Sequence, residues 1–230
     1  MNRHKLLERY EIRGDETDYL AAKPLYEQAL TGGGDPQLQL EYGYLLECHA
    51  RNELRQAVVR YRRAVELDPD FDKAWYQLIH ALAALGDSDE MIALHQRRLA
   101  EAPQELREHR FLAAAYLAAG RSAEAREVID AGLRLAPDDR MLISQRGEAK
   151  ASTGDPDGAL ADWHHALDLD NSDIGPLFSA AYLFEREGRI DEAIQAWQSI
   201  LTWHEQHGDQ LGAEFPQHEL ERVSQHSTHA

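Results

Sequence analysis

The chain has 230 residues, of which 43% are hydrophobic and 28% charged, and its formal net charge is -17. That balance suits a soluble globular protein, and the length suffices for a substantial buried core. So large an acidic excess argues against non-specific binding to nucleic acid or to an anionic membrane surface.

Cys48 is the single cysteine, so neither an intramolecular disulfide nor a thiolate metal cluster is expected. The N-terminal MNRHKLLERYEIRGD lacks the apolar core of a signal peptide. No apolar run approaches the roughly 20 residues that span a bilayer. The expectation is a cytoplasmic protein with no membrane partner.

In chain order, the first helical pair is read over residues 3–35. Its second helix is LAAKPLYEQAL, with Ala22, Tyr26 and Ala29 on one face, after a stretched loop RGDETDYL. The following TGGGDP could suggest a phosphate loop, but no Lys-Ser or Lys-Thr follows to bind phosphate or magnesium. It reads instead as a joint: glycines release one helix, Asp35 caps the next, and Pro36 suits its first turn. A second pair, 36–71, carries Gly43, Ala57, Tyr61, Ala64 and Pro69, with a short insertion around Glu47–Asn52.

From Pro69 onward the chain repeats. Pro69, Pro103 and Pro137 lie 34 residues apart after AVELDP, RLAEAP and GLRLAP, and Asn171 closes ALDLDN a further 34 on. Gly86, Gly120, Gly154 and Gly188 keep the same interval. At a constant offset follow Met91, Ala125, Ala159 and Ala193, and four residues later His95, Ile129, Trp163 and Trp197. A unit with a central glycine and a terminal proline predicts helix, turn, helix, turn: glycine ends the first helix in a left-handed conformation and proline stops the second.

With Trp75, Leu78, Gly86 and Pro103 in one unit and Leu112, Ala113, Tyr116, Gly120, Ala125, Gly132 and Pro137 in the next, the sequence closely resembles the tetratricopeptide repeat (TPR) family. Gly147, Gly154, Ala159, Trp163 and Ala166 continue the pattern, as do Ala181, Phe184, Gly188, Ala193 and Trp197. The resemblance implies an all-α, right-handed α-solenoid of about six helix-turn-helix repeats: 3–35, 36–71, 72–105, 106–139, 140–173 and 174–207. Small residues at Gly43, Ala113, Gly147 and Ala181, matched by Ala57, Ala125, Ala159 and Ala193, let paired helices approach. Tyr61, Trp163 and Trp197 fill the space between repeats. The third repeat breaks the rule with Ile79, Met91, His95 and Arg98, so looser or shifted packing is expected there, with Arg98 reaching solvent along its stem. Residues 210–230 are read as a C-terminal capping helix, 216–226, over Leu201 and Trp203, followed by a frayed tail.

No catalytic, cofactor or metal site is expected. His204, His207 and His218 lack a recognised ligand spacing. DLDNSDIG (168–175) lacks the central glycine and the bidentate glutamate of a calcium loop. Serine-hydrolase and dinucleotide motifs are absent from the sequence.

The resemblance also implies a concave groove, lined by the first helix of each repeat, that takes a protein or peptide partner. Helical spacing assigns to it Leu40, Tyr44 and Glu47; Lys73, Tyr76 and His80; Arg107, Arg110, Ala114 and Leu117; Met141, Ser144 and Glu148; and Phe178, Tyr182, Glu185 and Arg186. This set is nearly neutral, so the acidity lies mainly elsewhere. Tyr44, Lys73, Tyr76, His80, Arg107, Arg110, Glu148, Phe178 and Tyr182 form the expected partner-binding set, because aromatics and arginine dominate binding hot spots. Leu40, Tyr44 and His80 stand where the carboxylate clamp of some relatives needs Lys and Asn, which argues against that specificity. The reading is an adaptor or scaffold. Its alternatives are a peptide-responsive regulator acting through another protein and a self-assembling oligomer.

Overall fold

The structure is a computed structural model that describes residues 2–31 and 36–227, with side chains to residue 225. The glycines and Asp35 of TGGGDP lie outside the described residues, as does the tail 228–230. Each glycine of the 34-residue series ends a helix as its spacing predicts. Gly86 has φ 84 and Gly154 φ 85, a region closed to most side chains. After Gly86 the Asp87 amide donates to the Leu82 carbonyl at 2.8 Å and the Gly86 amide to Ala83 at 2.9 Å, which satisfies carbonyls the helix leaves open. The same pair of bonds recurs at Gly120 and Gly188.

The helices so delimited are α1 (Arg3–Arg13), α2 (Glu16–Leu30), α3 (Pro36–Leu67), α4 (Asp72–Leu85), α5 (Ser88–Glu101) and α6 (Leu106–Ala118). They continue with α7 (Ser122–Leu135), α8 (Arg140–Ser152), α9 (Pro156–Leu169), α10 (Gly175–Arg186), α11 (Ile190–Gln206) and α12 (Gln210–Ser227). Among the described residues there is no strand. Two compact units divide the chain at the turn after Gly86: Met1–Asp87 and Ser88–Ala230.

In the first unit, α1 and α2 form a tight hairpin. The stretched loop expected before α2 is only Gly14 and Asp15, because Asp15 caps α2 through the Thr17 amide at 3.0 Å. Leu6, Tyr10, Tyr19, Ala22 and Tyr26 pack with Leu38 and Leu45 of α3. The second repeat departs from expectation: α3 is one helix of 32 residues, not a hairpin. Its middle, ECHARNELRQ, holds no glycine or proline to break it, and Arg51–Glu47 (2.8 Å) braces the turn. Leu38 and Leu45 are buried in its first half, Val58 and Val65 in its second. The 13 residues from Leu45 to Val58 turn the helix by roughly 220° beyond whole turns, so its two halves bury different faces. One face meets the first hairpin and the other meets α4. Gly43 therefore makes no close approach; a Cβ there would meet nothing within 4 Å. Ala57 and Tyr61 are half-buried rather than core.

In the second unit the hairpins α6/α7, α8/α9 and α10/α11 stack. Ala113, Ala125, Ala159, Ala181 and Ala193 are all fully buried. A Cβ on Gly147 would lie 2.5 Å from Trp163 Nε1, so the indole packs against bare backbone. Trp197 fills the corresponding place in the last hairpin and is fully buried.

Three of the atypical residues of the third repeat are nonetheless buried in their respective units. Ile79 in the first unit is 1% exposed, and in the second Met91 is 3% and His95 0% exposed. His95 sits in the aromatic slot with its ring 5.2 Å from Phe111, and its Nδ1 lies 2.7 Å from Glu108 Oε2. Arg98 does not simply run to solvent: its guanidinium reaches the same glutamate at 3.6 Å. Burial alone would raise the Glu108 carboxyl, but His95 with the Arg98 and Arg107 guanidinium groups holds it below its ordinary value.

The capping helix α12 begins at Gln210, earlier than residue 216, because Asp209 caps it through the Gly212 amide at 2.9 Å. Pro216, Glu219 and Val223 are buried and Leu220 half-buried, an i, i+3, i+4, i+7 stripe against α11. Val223 joins the core that holds Trp197 and Ile200. Trp203 lies at its edge, with its indole donating to the Asn171 carbonyl at 3.1 Å and its ring stacked on His207.

The two helical glycines give opposite expectations. Gly147→Ala should destabilise the protein by about 2 kcal/mol through the clash with Trp163. Gly43→Ala should stabilise it by about 1 kcal/mol through helix propensity. Chemical denaturation of the two variants checks both.

Candidate functional site

The α8 helix shows how one face of the second unit is left open. Gln145 donates to the Arg110 carbonyl of α6 at 2.9 Å, and the Ala151 carbonyl of α8 accepts from Arg186 of α10 at 3.0 Å. Arg146 and Lys150 turn to α9, where both bind Asp162 (2.7 and 2.8 Å). Met141, Ser144 and Glu148 lie at i, i+3 and i+7 along the side of α8 assigned to the groove. Met141 and Ser144 are half-buried and Glu148 exposed.

On α10, Phe178 and Tyr182 continue this face. Phe178 is half-buried and Tyr182 is 49% exposed, and both rings meet buried Trp197 edge-on at 5.8 and 5.2 Å. Phe215 of α12 joins them, 48% exposed, 5.9 Å from Trp197 and 6.4 Å from Phe178. Sequence reasoning missed Phe215 because it placed the cap after Pro216. Its signal was Gly208-Asp209, which repeats the Gly-Asp turns at 86–87 and 154–155.

Most charges assigned to this face prove to be bound. Arg110 donates from Nε to both carboxylate oxygens of Asp139 (3.2 and 3.0 Å) and also pairs through its terminal nitrogen. Asp139 is itself the cap of α8, accepting from the Leu142 amide at 3.0 Å. Arg110 is therefore a bolt between repeats and not a free binding group. Glu185 accepts from Trp197 Nε1 at 2.8 Å and from Arg222 at 2.7 Å. Arg107 lies over the Phe111 ring at 5.1 Å. Glu148 differs: it has no hydrogen bond or ion pair among the described residues. The residue is exposed, yet the protein around it pushes the carboxyl up to about 7 by reducing its solvation.

In the first unit, Lys73 and His80 are exposed and Tyr76 half-buried, at i, i+3 and i+7 along α4. Tyr44 is turned towards α1, where its hydroxyl donates to Glu11 at 2.7 Å. That carboxylate and the nearby Cys48 push the phenol up to about 12. Tyr44 also lines a shallow cavity of about 200 Å³ with Tyr10, Glu11, Cys48 and Asn52.

Two of the three aspartates of the stretch 168–175 are engaged by the fold. Asp170 accepts from the Ser172 amide and Asp173 from the Gly175 amide, both at 2.9 Å, and Arg140 pairs with both carboxylates. His204 and His207 do not converge, since His204 faces Asp209 at 3.0 Å while His207 stacks on Trp203. Among the described residues no helix is long and apolar enough to cross a membrane.

A TPR-repeat family model matches residues 46–86, most of α3 through the turn after α4. A thermophilic TPR protein from Thermus thermophilus shares 23% identity with a TM-score of 0.58, over 77% of this chain and 94% of that one. A tetratricopeptide repeat protein from Parabacteroides merdae shares 13% identity with a TM-score of 0.50, over 96% of this chain and 93% of that one. The chain carries tetratricopeptide repeats. No curated protein matches it.

Two features of this TPR fold can be measured directly. Asp139 is 7% exposed, so Arg110→Ala should cost about 3 kcal/mol in chemical denaturation by stranding a buried carboxylate. Glu148 has a folded pKa raised to about 7 from an ordinary 4.5, so its ionisation opposes folding as pH rises from the lower value through the higher. Glu148→Gln should therefore raise the melting temperature at about pH 8 and leave it unchanged at about pH 4.

Proposed function

We propose that this protein is an interaction scaffold that holds a segment of a partner protein against the open face of α6, α8 and α10. The carrying observation is the aromatic group Phe178, Tyr182 and Phe215. These rings remain partly open, whereas Trp75, Phe111, Trp163 and Trp197 are buried. Half-open aromatics backed by a rigid core make binding anchors at little entropic cost. The TPR fold supports the reading, since the stacked hairpins of the second unit present a continuous helix layer. In the first unit, Lys73, Tyr76 and His80 form a candidate set of their own, which Tyr44 joins only through the portion of its ring left open beside Glu11. The partner is a protein or peptide, the activity is binding rather than catalysis, and a cytoplasmic location is in keeping with the single free Cys48.

A second reading is self-association through the terminal helix, favoured by Leu211, which is 78% exposed one turn before Phe215. Sedimentation over a range of concentrations separates the two. Affinity capture with wild type and a Tyr182→Ala/Phe215→Ala variant tests the first. Recovery of a specific partner should fall about tenfold with the melting temperature little changed. Equal recovery by a folded variant rejects this face.

A further inference from the structure

We infer that the open face of α8 and α10 accepts a segment that sets one lysine or arginine against Glu148 and lays aromatic or aliphatic side chains on Phe178, Tyr182 and Phe215. The inference rests on the scaffold reading above and adds the chemistry of the partner.

The argument is one of charge and shape together. Around the face, Arg110 is held by Asp139, Glu185 by Arg222 and Trp197, and Arg186 by the Ala151 carbonyl and by Glu187 at 3.3 Å. Arg110 and Glu185 thus have little left to offer an incoming charge, and the exposed Arg186 is partly offset by Glu187. Glu148 alone on α8 keeps both carboxylate oxygens unengaged among the described residues, midway between the α6 and α10 contacts of its own helix. An exposed carboxylate without a partner has both oxygens available to an arriving cation. An anionic segment would meet an uncompensated carboxylate instead, so the face discriminates by repulsion as well as attraction. Neighbouring packed helices lie about 8–10 Å apart, which puts the aromatic anchors of α10 within two helical turns of the cation along a bound segment. The net charge of -17 would draw such a basic segment towards the protein from a distance.

The test is selection of short random peptides displayed on phage against the full chain, followed by affinity measurement of an enriched peptide made synthetically. Enriched peptides should carry a lysine or arginine flanked by aromatic or aliphatic residues. Glu148→Gln should weaken a chosen peptide by about tenfold, replacing its basic residue by glutamine should weaken it similarly, and the two changes together should cost no more than either alone. Enrichment without a basic residue, or equal affinity for Glu148→Gln, overturns the inference while leaving the face as a binding site. If Tyr182→Ala and Phe215→Ala also bind equally, or if nothing is enriched, the scaffold reading of this face falls with it.

Discussion

The close approach of paired helices is the constraint on which the second unit depends. Trp163 lies so near the α8 backbone that position 147 has no room for a Cβ, and the indole donates to the Ser144 carbonyl at 3.2 Å. The same economy recurs between repeats, where a Cβ on Gly132 of α7 would fall 2.5 Å from Leu142 of α8. A helix pair of this size cannot bury its own apolar stripe, so each hairpin is completed by the next. Every 34 residues the chain must therefore supply a small residue, a wedge and a turn, and the rest of each helix is released for other work.

Part of that work is electrostatic stitching. Arg110 binds the Asp139 cap of the following repeat, Arg140 likewise binds Asp173 at the entry to the repeat after its own, and Arg189 reaches back to Asp157 at 3.3 Å. Exposed members of this set contribute little, whereas the Arg110–Asp139 pair is shielded enough to fix the register of α6 against α8. The third repeat uses the same device inside its core: His95 replaces an aromatic wedge and Glu108, with Arg98, supplies the polar partner its ring requires. These pairings consume the charges that line the open face and leave its aromatics and Glu148 as the groups with capacity to spare.

The 34-residue period was legible because glycine and proline act on backbone conformation, independently of what surrounds them. Gly86, Gly120, Gly154 and Gly188 all end helices as their spacing required. The fusion of the second hairpin into α3 was less legible. Gly43, Ala57 and Tyr61 mimic the repeat pattern, while the decisive fact is the absence of a breaker over ECHARNELRQ. Position 95 misled for a different reason, since a histidine in an aromatic slot reads as a defect until Glu108, thirteen residues away, is seen beside it.

By itself, then, the sequence determined an all-α chain built largely of helix pairs, and the glycine turns at which its helices stop. It could not tell which outward charges were available. Arg110, Glu185 and Glu148 have equal standing as helical positions, yet one bolts two repeats, one is held by the terminal helix, and one stands unpaired. Only tertiary structure decides this, because their partners Asp139 and Arg222 lie 29 and 37 residues away and meet them solely through the packing of successive helices.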